Sequence, residues 1–204
     1  MPDLEPTYQA SDVEIIERKR MFDGFFKMEK YRLRHKRFAG DWTEAFEREL
    51  FERGEAAAVL LYDPILDLVV LTEQFRVGGL NREESPWMLE VVAGFIEQGE
   101  QPDEVARREA EEEAGCLPNK LIPISCYWPS PGGCSEKIHL YCALVDAAEL
   151  GGIHGLEHEN EDILARCIPF QQAYDGIASG EINNAATIIA LQWLKINKVD
   201  LCNR

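Results

Sequence analysis

The stretch Arg107–Gly115, RREAEEEAG, sets four carboxylates, Glu109, Glu111, Glu112 and Glu113, into the end of a run of good helix formers closed by a glycine. A helix C-terminus carries partial negative charge, so each acid placed there costs roughly 0.3–1 kcal/mol. At about 100° per residue Glu109, Glu112 and Glu113 share one face while Glu111 points away. Acids spaced i, i+3 and i+4 repel one another, and more strongly when half-buried. Hard divalent cations such as Mg2+ seek this all-oxygen environment and bridge carboxylates to phosphates. The spacing therefore calls for a cation and, through it, a phosphorylated ligand. A solvated acidic face, with Arg107 and Arg108 as its partners, would show the same letters.

The elements that must hold these acids follow from the flanking sequence. Pro102 is a favoured first helical residue and Gly115 a left-handed cap, which predicts a helix over Pro102–Ala114. Val105 borders the acidic face, and Ala106, Ala110 and Ala114 make a small-residue stripe able to lie close against a sheet. AAAVLLYD and LDLVVLTEQF read as buried strands joined through DPILD, and WMLEVVAG as one strand ending at Gly94. Further strands fall at LIPISCYW, EKIHLYCALVDA and DILARCIPF, with helices at about Phe170–Ala178 and Asn184–Lys198. Strands interleaved with helices imply an α/β fold, a sheet between helical layers. From Ser11 to Leu50 the apolar/polar alternation is broken and rich in charge, as in exposed strands too few to bury a core. Residues 1–52 are accordingly expected to form a small strand-rich segment packing on a partner chain or on the main domain, 53–204.

Composition excludes several functions. With 46% hydrophobic and 28% charged residues the chain reads as a soluble globular protein, and its N-terminus has no basic region followed by an apolar one, so a cytoplasmic location is expected. A net charge of −16 disfavours nucleic acid and anionic membrane as partners. Cys116, Cys126, Cys134, Cys142, Cys167 and Cys202 form no CxxC pair and are expected to be reduced, packed thiols. His35, His139, His154 and His158 show neither metal-ligand spacing nor an evident nucleophile partner, and no GxxxxGK loop occurs.

Context decides between cation site and solvated face. Gly94–Cys116, GFIEQGEQPDEVARREAEEEAGC, resembles the Nudix box at each of its fixed positions: Gly94, Glu100, Arg108-Glu109, Ala110, Glu112-Glu113, Gly115 and an apolar slot at Cys116. The resemblance implies a Nudix-type α/β/α sandwich with a mixed sheet, and a loop–helix–loop that binds divalent metal and hydrolyses a nucleoside diphosphate linked to another group. It assigns metal binding to Glu109, Glu112, Glu113 and the Ala93 carbonyl, and gives Arg108 the task of orienting the glutamates. Two or more Mg2+ ions, for which Mn2+ can substitute, would neutralise a pyrophosphate and activate a bound water.

WPSPGGCSE places Pro131 sixteen residues after Gly115, as in the ADP-ribose pyrophosphatase branch of the family. GFF at Gly24–Phe26, ERELFERG at Glu47–Gly54, EQFRVG at Glu73–Gly78, GGIHGLEHENEDI and NAATIIALQWL extend the likeness along nearly the whole chain. What it implies is a homodimer exchanging N-terminal segments, with Phe25 and Phe26 against adenine. Arg48, Glu49 and Arg53 would line the ligand site, Arg76 would meet phosphate or ribose, and Ser130 and Glu136 would hold the terminal ribose. Within the acidic loop GLEHENEDI the resemblance makes Glu159 the proton acceptor and Glu161 a further metal contact, with Glu157 the remaining candidate. ADP-ribose is the substrate so implied. The alternatives are another nucleoside diphosphate sugar or a non-catalytic ADP-ribose sensor, for which a damaged box would be the mark.

Overall fold

The computed structural model describes residues 4–81 and 85–202. By contacts the chain divides into a smaller unit, residues up to Gly54 with Trp128–Glu136, and a larger one, Glu55–Tyr127 with the residues from Lys137 onward.

The smaller unit is built on an antiparallel sheet of β1 (Val13–Asp23), β2 (Lys27–His35) and β3 (Phe46–Glu52), in that order. Every residue of β1 is exposed, as its broken alternation predicts, including Ile15, Ile16, Met21 and Phe22. In the central strand Glu29 is only 1% exposed. Its Oε2 accepts from Arg18 Nε at 2.5 Å and from Tyr31 Oη at 3.0 Å, and its Oε1 accepts from Arg20 at 2.9 Å. The hydrogen bond from Arg18, with those from Tyr31 and Arg20, pulls the Glu29 carboxyl down from 4.5 to about 2.

The larger unit is a mixed sheet between helices. Its main path runs β10 (Gly152–His154), β11 (Ile163–Pro169), β5 (Leu68–Phe75), β4 (Glu55–Asp63), β9 (Lys137–Leu144) and β8 (Leu121–Tyr127), with β4 and β9 parallel. The α1 helix (Pro102–Ala114) lies on one face, its Val105, Ala106, Ala110 and Ala114 buried with Ala57, Val59 and Leu61 of β4. On the other face α2 (Phe170–Ser179) and α3 (Ala185–Cys202) bury Phe170, Ala173, Leu191 and Leu194 against Leu60, Tyr62 and Leu71. Each large aliphatic group so buried contributes about 1.5–3 kcal/mol, which makes these two cores the main source of stability. The α/β/α layering expected from the sequence is present.

WMLEVVAG, expected to be one strand, is two. The β4–β5 hairpin pairs only across Leu61–Asp63 and Leu68–Val70. Beyond that point β6 (Trp87–Glu90) bonds to the far half of β5, and β7 (Val92–Phe95) bonds to Ala56–Val59 of β4. Val91 stands at the switch, where its N–H donates to Thr187 Oγ1 at 2.9 Å. The start of α3 secures this crossing. Asn184 Oδ1 accepts from Thr187 N–H at 3.1 Å, a helix cap, while its Nδ2 donates to the Leu89 carbonyl at 2.8 Å. Both C-terminal helices run somewhat past their expected ends, α2 to Ser179 and α3 to Cys202.

The five described cysteines are free thiols. Cys142 is buried, but Cys126 is exposed, which corrects the expectation of packed thiols: β8 is a sheet edge. No helix among the described residues is long and apolar enough to cross a membrane.

Candidate active site

Gly115 ends α1 at φ 65°, a backbone region that a β-carbon disfavours, and the Gly115 and Cys116 N–H groups bond back to Glu111 and Ala110. That cap fixes the last turn with its acids. Glu111 faces solvent, Glu109 and Glu112 are half-buried, and Glu113 is 3% exposed, so the helical face drawn from the spacing is the one observed. Gly94 of β7 makes room for it: a β-carbon there would lie 1.9 Å from Glu109 Oε1.

Burial pushes Glu109 up to about 7, the nearby Arg108 opposing and the charges of Glu112 and Glu161 adding to the rise. Burial likewise pushes Glu113 up to about 8, with the charge of Glu109 reinforcing it. Glu113 accepts only long hydrogen bonds, from Ala93 N–H at 3.3 Å and from Gln74 Nε2 at 3.5 Å. Among the described residues it has no ion pair.

Arg108 reaches Glu109 at 2.8 Å, Glu112 at 3.1 Å and Glu100 at 3.7 Å. Arg107 instead donates to the Pro118 carbonyl, so of the two adjacent arginines Arg108 is the one that pairs with the acidic face. Repulsion among the carboxylates favours this spread arrangement, and no three acidic, imidazole or thiol groups among the described residues converge on one point. The donor set nevertheless fits a divalent cation, because it is all oxygen and the glycine cradle brings a buried acid against the β7 backbone.

The acidic loop arrives beside α1 through the Gly155 N–H, which bonds to the Glu112 carbonyl at 3.3 Å. Glu161 accepts from Leu156 N–H at 3.3 Å, and its charge is felt by both Glu109 and Glu113. The side chain of Glu159 lies outside the described structure, so its expected role stands on the resemblance. Arg76 pairs with Glu90 at 2.6 Å and its charge lowers the Glu113 shift, which puts it in the same neighbourhood.

Two contributors escaped the sequence reading. Gln74 is buried and aimed at Glu113, and Glu90 holds Arg76. An amide at an inward position of β5, two residues after the buried Thr72, was the available signal for Gln74.

The remaining expected ligand residues belong to the smaller unit. Arg53 pairs with Glu136 at 2.8 Å and lies over the Phe26 ring at 5.2 Å, and Phe26 makes an edge contact with Phe25. Ser135 joins them by accepting the Arg53 N–H at 2.8 Å and donating to Glu52 at 2.6 Å. Ser130 sits in the turn whose carbonyl accepts from Gly133 and Cys134. Arg48 donates to the Glu47 carbonyl at 2.8 Å and lies over the Phe46 ring, and Glu49 stands opposite Lys30 in the β2–β3 register, where Lys30 forms its ion pair with Glu47.

Residues 52–192 match the NUDIX domain family, and the chain belongs to that family. Over nearly its whole length it is similar to proteins named as pyrophosphatases. It is 47% identical over 203 residues to the ADP-ribose pyrophosphatase of Escherichia coli K12, covering 99% of this chain and 97% of that protein. It is 43% identical to the ADP-ribose pyrophosphatase of Haemophilus influenzae, covering 95% and 91%. To the GDP-mannose pyrophosphatase of Pectobacterium atrosepticum it is 34% identical, covering 90% and 94%. A crystal structure of an ADP compounds hydrolase shares the fold, with a TM-score of 0.66 over 94% of this chain and 98% of that one at 22% identity.

Proposed function

We propose that this protein hydrolyses the pyrophosphate bond of ADP-ribose to AMP and ribose 5-phosphate, with two or more Mg2+ ions, or Mn2+ in their place, at the acidic face of α1. The carrying observation is the buried pair Glu109 and Glu113, whose charges the chain itself leaves under-compensated at the foot of an intact box. Likeness to two ADP-ribose pyrophosphatases over 95% or more of the chain supports the choice of substrate.

Glu109, Glu112, Glu113, Glu161 and the Ala93 carbonyl would hold the metal. When bound there, it supplies charge neutralisation of the pyrophosphate and a more acidic water. Arg108 keeps Glu109 and Glu112 in place through its two short ion pairs. Arg76, released from Glu90, forks onto phosphate oxygens, a geometry that guanidinium matches. Glu159 accepts the proton of the water that attacks phosphorus, a general-base role that a carboxylate can fill.

The smaller unit supplies the ligand contacts. Phe25 and Phe26 offer aromatic surface for the adenine, Phe25 being 83% exposed. Arg48, Glu49 and Arg53 line the ligand, and Ser130 and Glu136 take the terminal ribose by hydrogen bonds. Residues 1–52 act as a dimerisation and substrate-binding segment exchanged between two copies, in keeping with the wholly exposed β1 and its apolar side chains. The enzyme works in the cytoplasm, in keeping with its free thiols.

Incubation with ADP-ribose and Mg2+, followed by chromatography, is expected to yield AMP and ribose 5-phosphate, with no turnover in a chelator. Absence of AMP overturns the assignment. GDP-mannose belongs in the same panel, because a relative at 34% identity is named for it; preferential release of GMP would select that second reading.

A further inference from the structure

Of the four histidines, none has an evident nucleophile partner in the sequence, yet folding gives one to His139. Cys126 of β8 and His139 of β9 are directly opposed across the strand pair. Cys126 Sγ lies 3.6 Å from His139 Nδ1 and 4.0 Å from its Nε2, and His139 Nε2 lies 2.6 Å from Glu55 Oε2 at the start of β4. The thiol is exposed, the imidazole largely covered and the carboxylate half-exposed.

A local irregularity creates the pairing. Pro123 faces Tyr141, but Ser125 faces Leu140, so Ile124 is an extra residue bulged out of register. Without that bulge Ser125 would stand opposite His139, and Cys126 would point to the other face of the sheet. The parallel β4–β9 register, Glu55 beside Lys137 and Ala57 beside His139, brings the carboxylate within reach of the ring.

The thiol therefore lies against an imidazole that a carboxylate holds, a nucleophile beside a base that a third group orients. Glu55 can only accept, so the Nε2 proton belongs to that contact, and Nδ1, the ring nitrogen nearer the thiol, is left as the base.

We propose that Cys126 is a reactive thiol, activated by His139 and Glu55, that captures small-molecule disulfides. In this step His139 Nδ1 takes the thiol proton as Cys126 Sγ attacks one sulfur of the disulfide. The S–S bond breaks, a mixed disulfide forms on Cys126, and the departing thiolate takes the proton back from His139. One cysteine sulfur is oxidised and one sulfur of the small molecule is reduced, so the exchange is balanced. Nothing in this chemistry draws on the acidic face of α1, and the proposal stands apart from the hydrolase assignment.

The test is the rate of reaction with 5,5′-dithiobis(2-nitrobenzoic acid), followed by release of the coloured thiolate and mass-spectrometric mapping of the first site modified. Cys126 should take the first equivalent, about tenfold or more faster than N-acetylcysteine at pH 7, an increment below the roughly 10²–10⁴ of a positioned base in an enzyme site. Cys126→Ser should abolish this phase. His139→Gln should slow it to the rate of the free thiol, and Glu55→Gln, at a half-exposed position, should give an intermediate rate with a displaced pH profile. Circular dichroism checks that the variants fold. First modification at another cysteine, or equal rates in wild type and both folded variants, would show a merely exposed thiol and overturn the proposal.

Discussion

Two buried carboxylates in this molecule have opposite fates. Glu29, in the sheet of the smaller unit, is covered yet receives Arg18, Arg20 and Tyr31, and its carboxyl is drawn down to about 2. Glu113, in the last turn of α1, is covered to a similar degree but receives only long bonds from Ala93 and Gln74, and is pushed up to about 8. A buried charge is tolerable when paired and costly when not. Glu29 is complete within its own chain and serves the fold. Glu113 keeps a buried acid in want of positive charge, beside a second acid pushed up to about 7, and that is how a site for an external cation differs from a structural ion pair.

The largest test of this contrast is Glu113→Gln. Removing one carboxylate should lower kcat for pyrophosphate hydrolysis by about 10³-fold, a loss of roughly 4 kcal/mol of charge stabilisation, measured by product release at saturating Mg2+. The same change should leave the ion-free melting temperature unchanged or raised, because it removes a poorly compensated charge. Glu29→Gln should do the reverse, lowering the melting temperature by stranding Arg18 and Arg20 while the metal-dependent step persists. Were Glu113→Gln to lose stability instead, Glu113 would belong with Glu29.

A smaller effect is expected from Gly94→Ala. The added carbon would overlap the Glu109 carboxylate, which must swing out of its cradle. A misplacement of about 1 Å at such a site costs on the order of 10²-fold in rate, to be read as kcat loss with a retained fold. Wild-type activity in this variant would mean that the cradle has no part in the chemistry.

The smallest and most discriminating effect is in pH. Glu113 and Glu109 rise in the folded chain from 4.5 to about 8 and about 7, so the ion-free fold holds protons that the unfolded chain has released. Its stability should fall as pH rises from about 4.5 through 8. Glu29 moves the other way, and its contribution should be present above 4.5 and lost as pH falls toward 2. Urea titrations in chelator should show both slopes. Glu113→Gln should flatten the upper one and Glu29→Gln the lower, while Mg2+ should flatten the upper slope in wild type and in Glu29→Gln alike.

Much of the acidic site was legible from letters because it is local. Glu109, Glu112 and Glu113 share a face through helical geometry, Gly115 caps through its left-handed backbone, and the alanine stripe packs as its spacing requires. Strand partners are a different matter. That WMLEVVAG divides at Val91 depends on β4 and β5 parting after three pairs. Gln74 meets Glu113 across 39 positions of chain, and Arg18 meets Glu29 only because of the β1–β2 register.

The sequence by itself determined the family, the acidic helix face with its caps, the apolar strands and the exposed character of the first one, since each is set by spacing within about four residues or by motif. The tertiary structure alone decided which buried acid finds a cation, where the strand crosses over, and that a single bulge turns Cys126 toward His139. These depend on register between distant segments, where a shift of one residue reverses every side chain and leaves the local pattern unchanged.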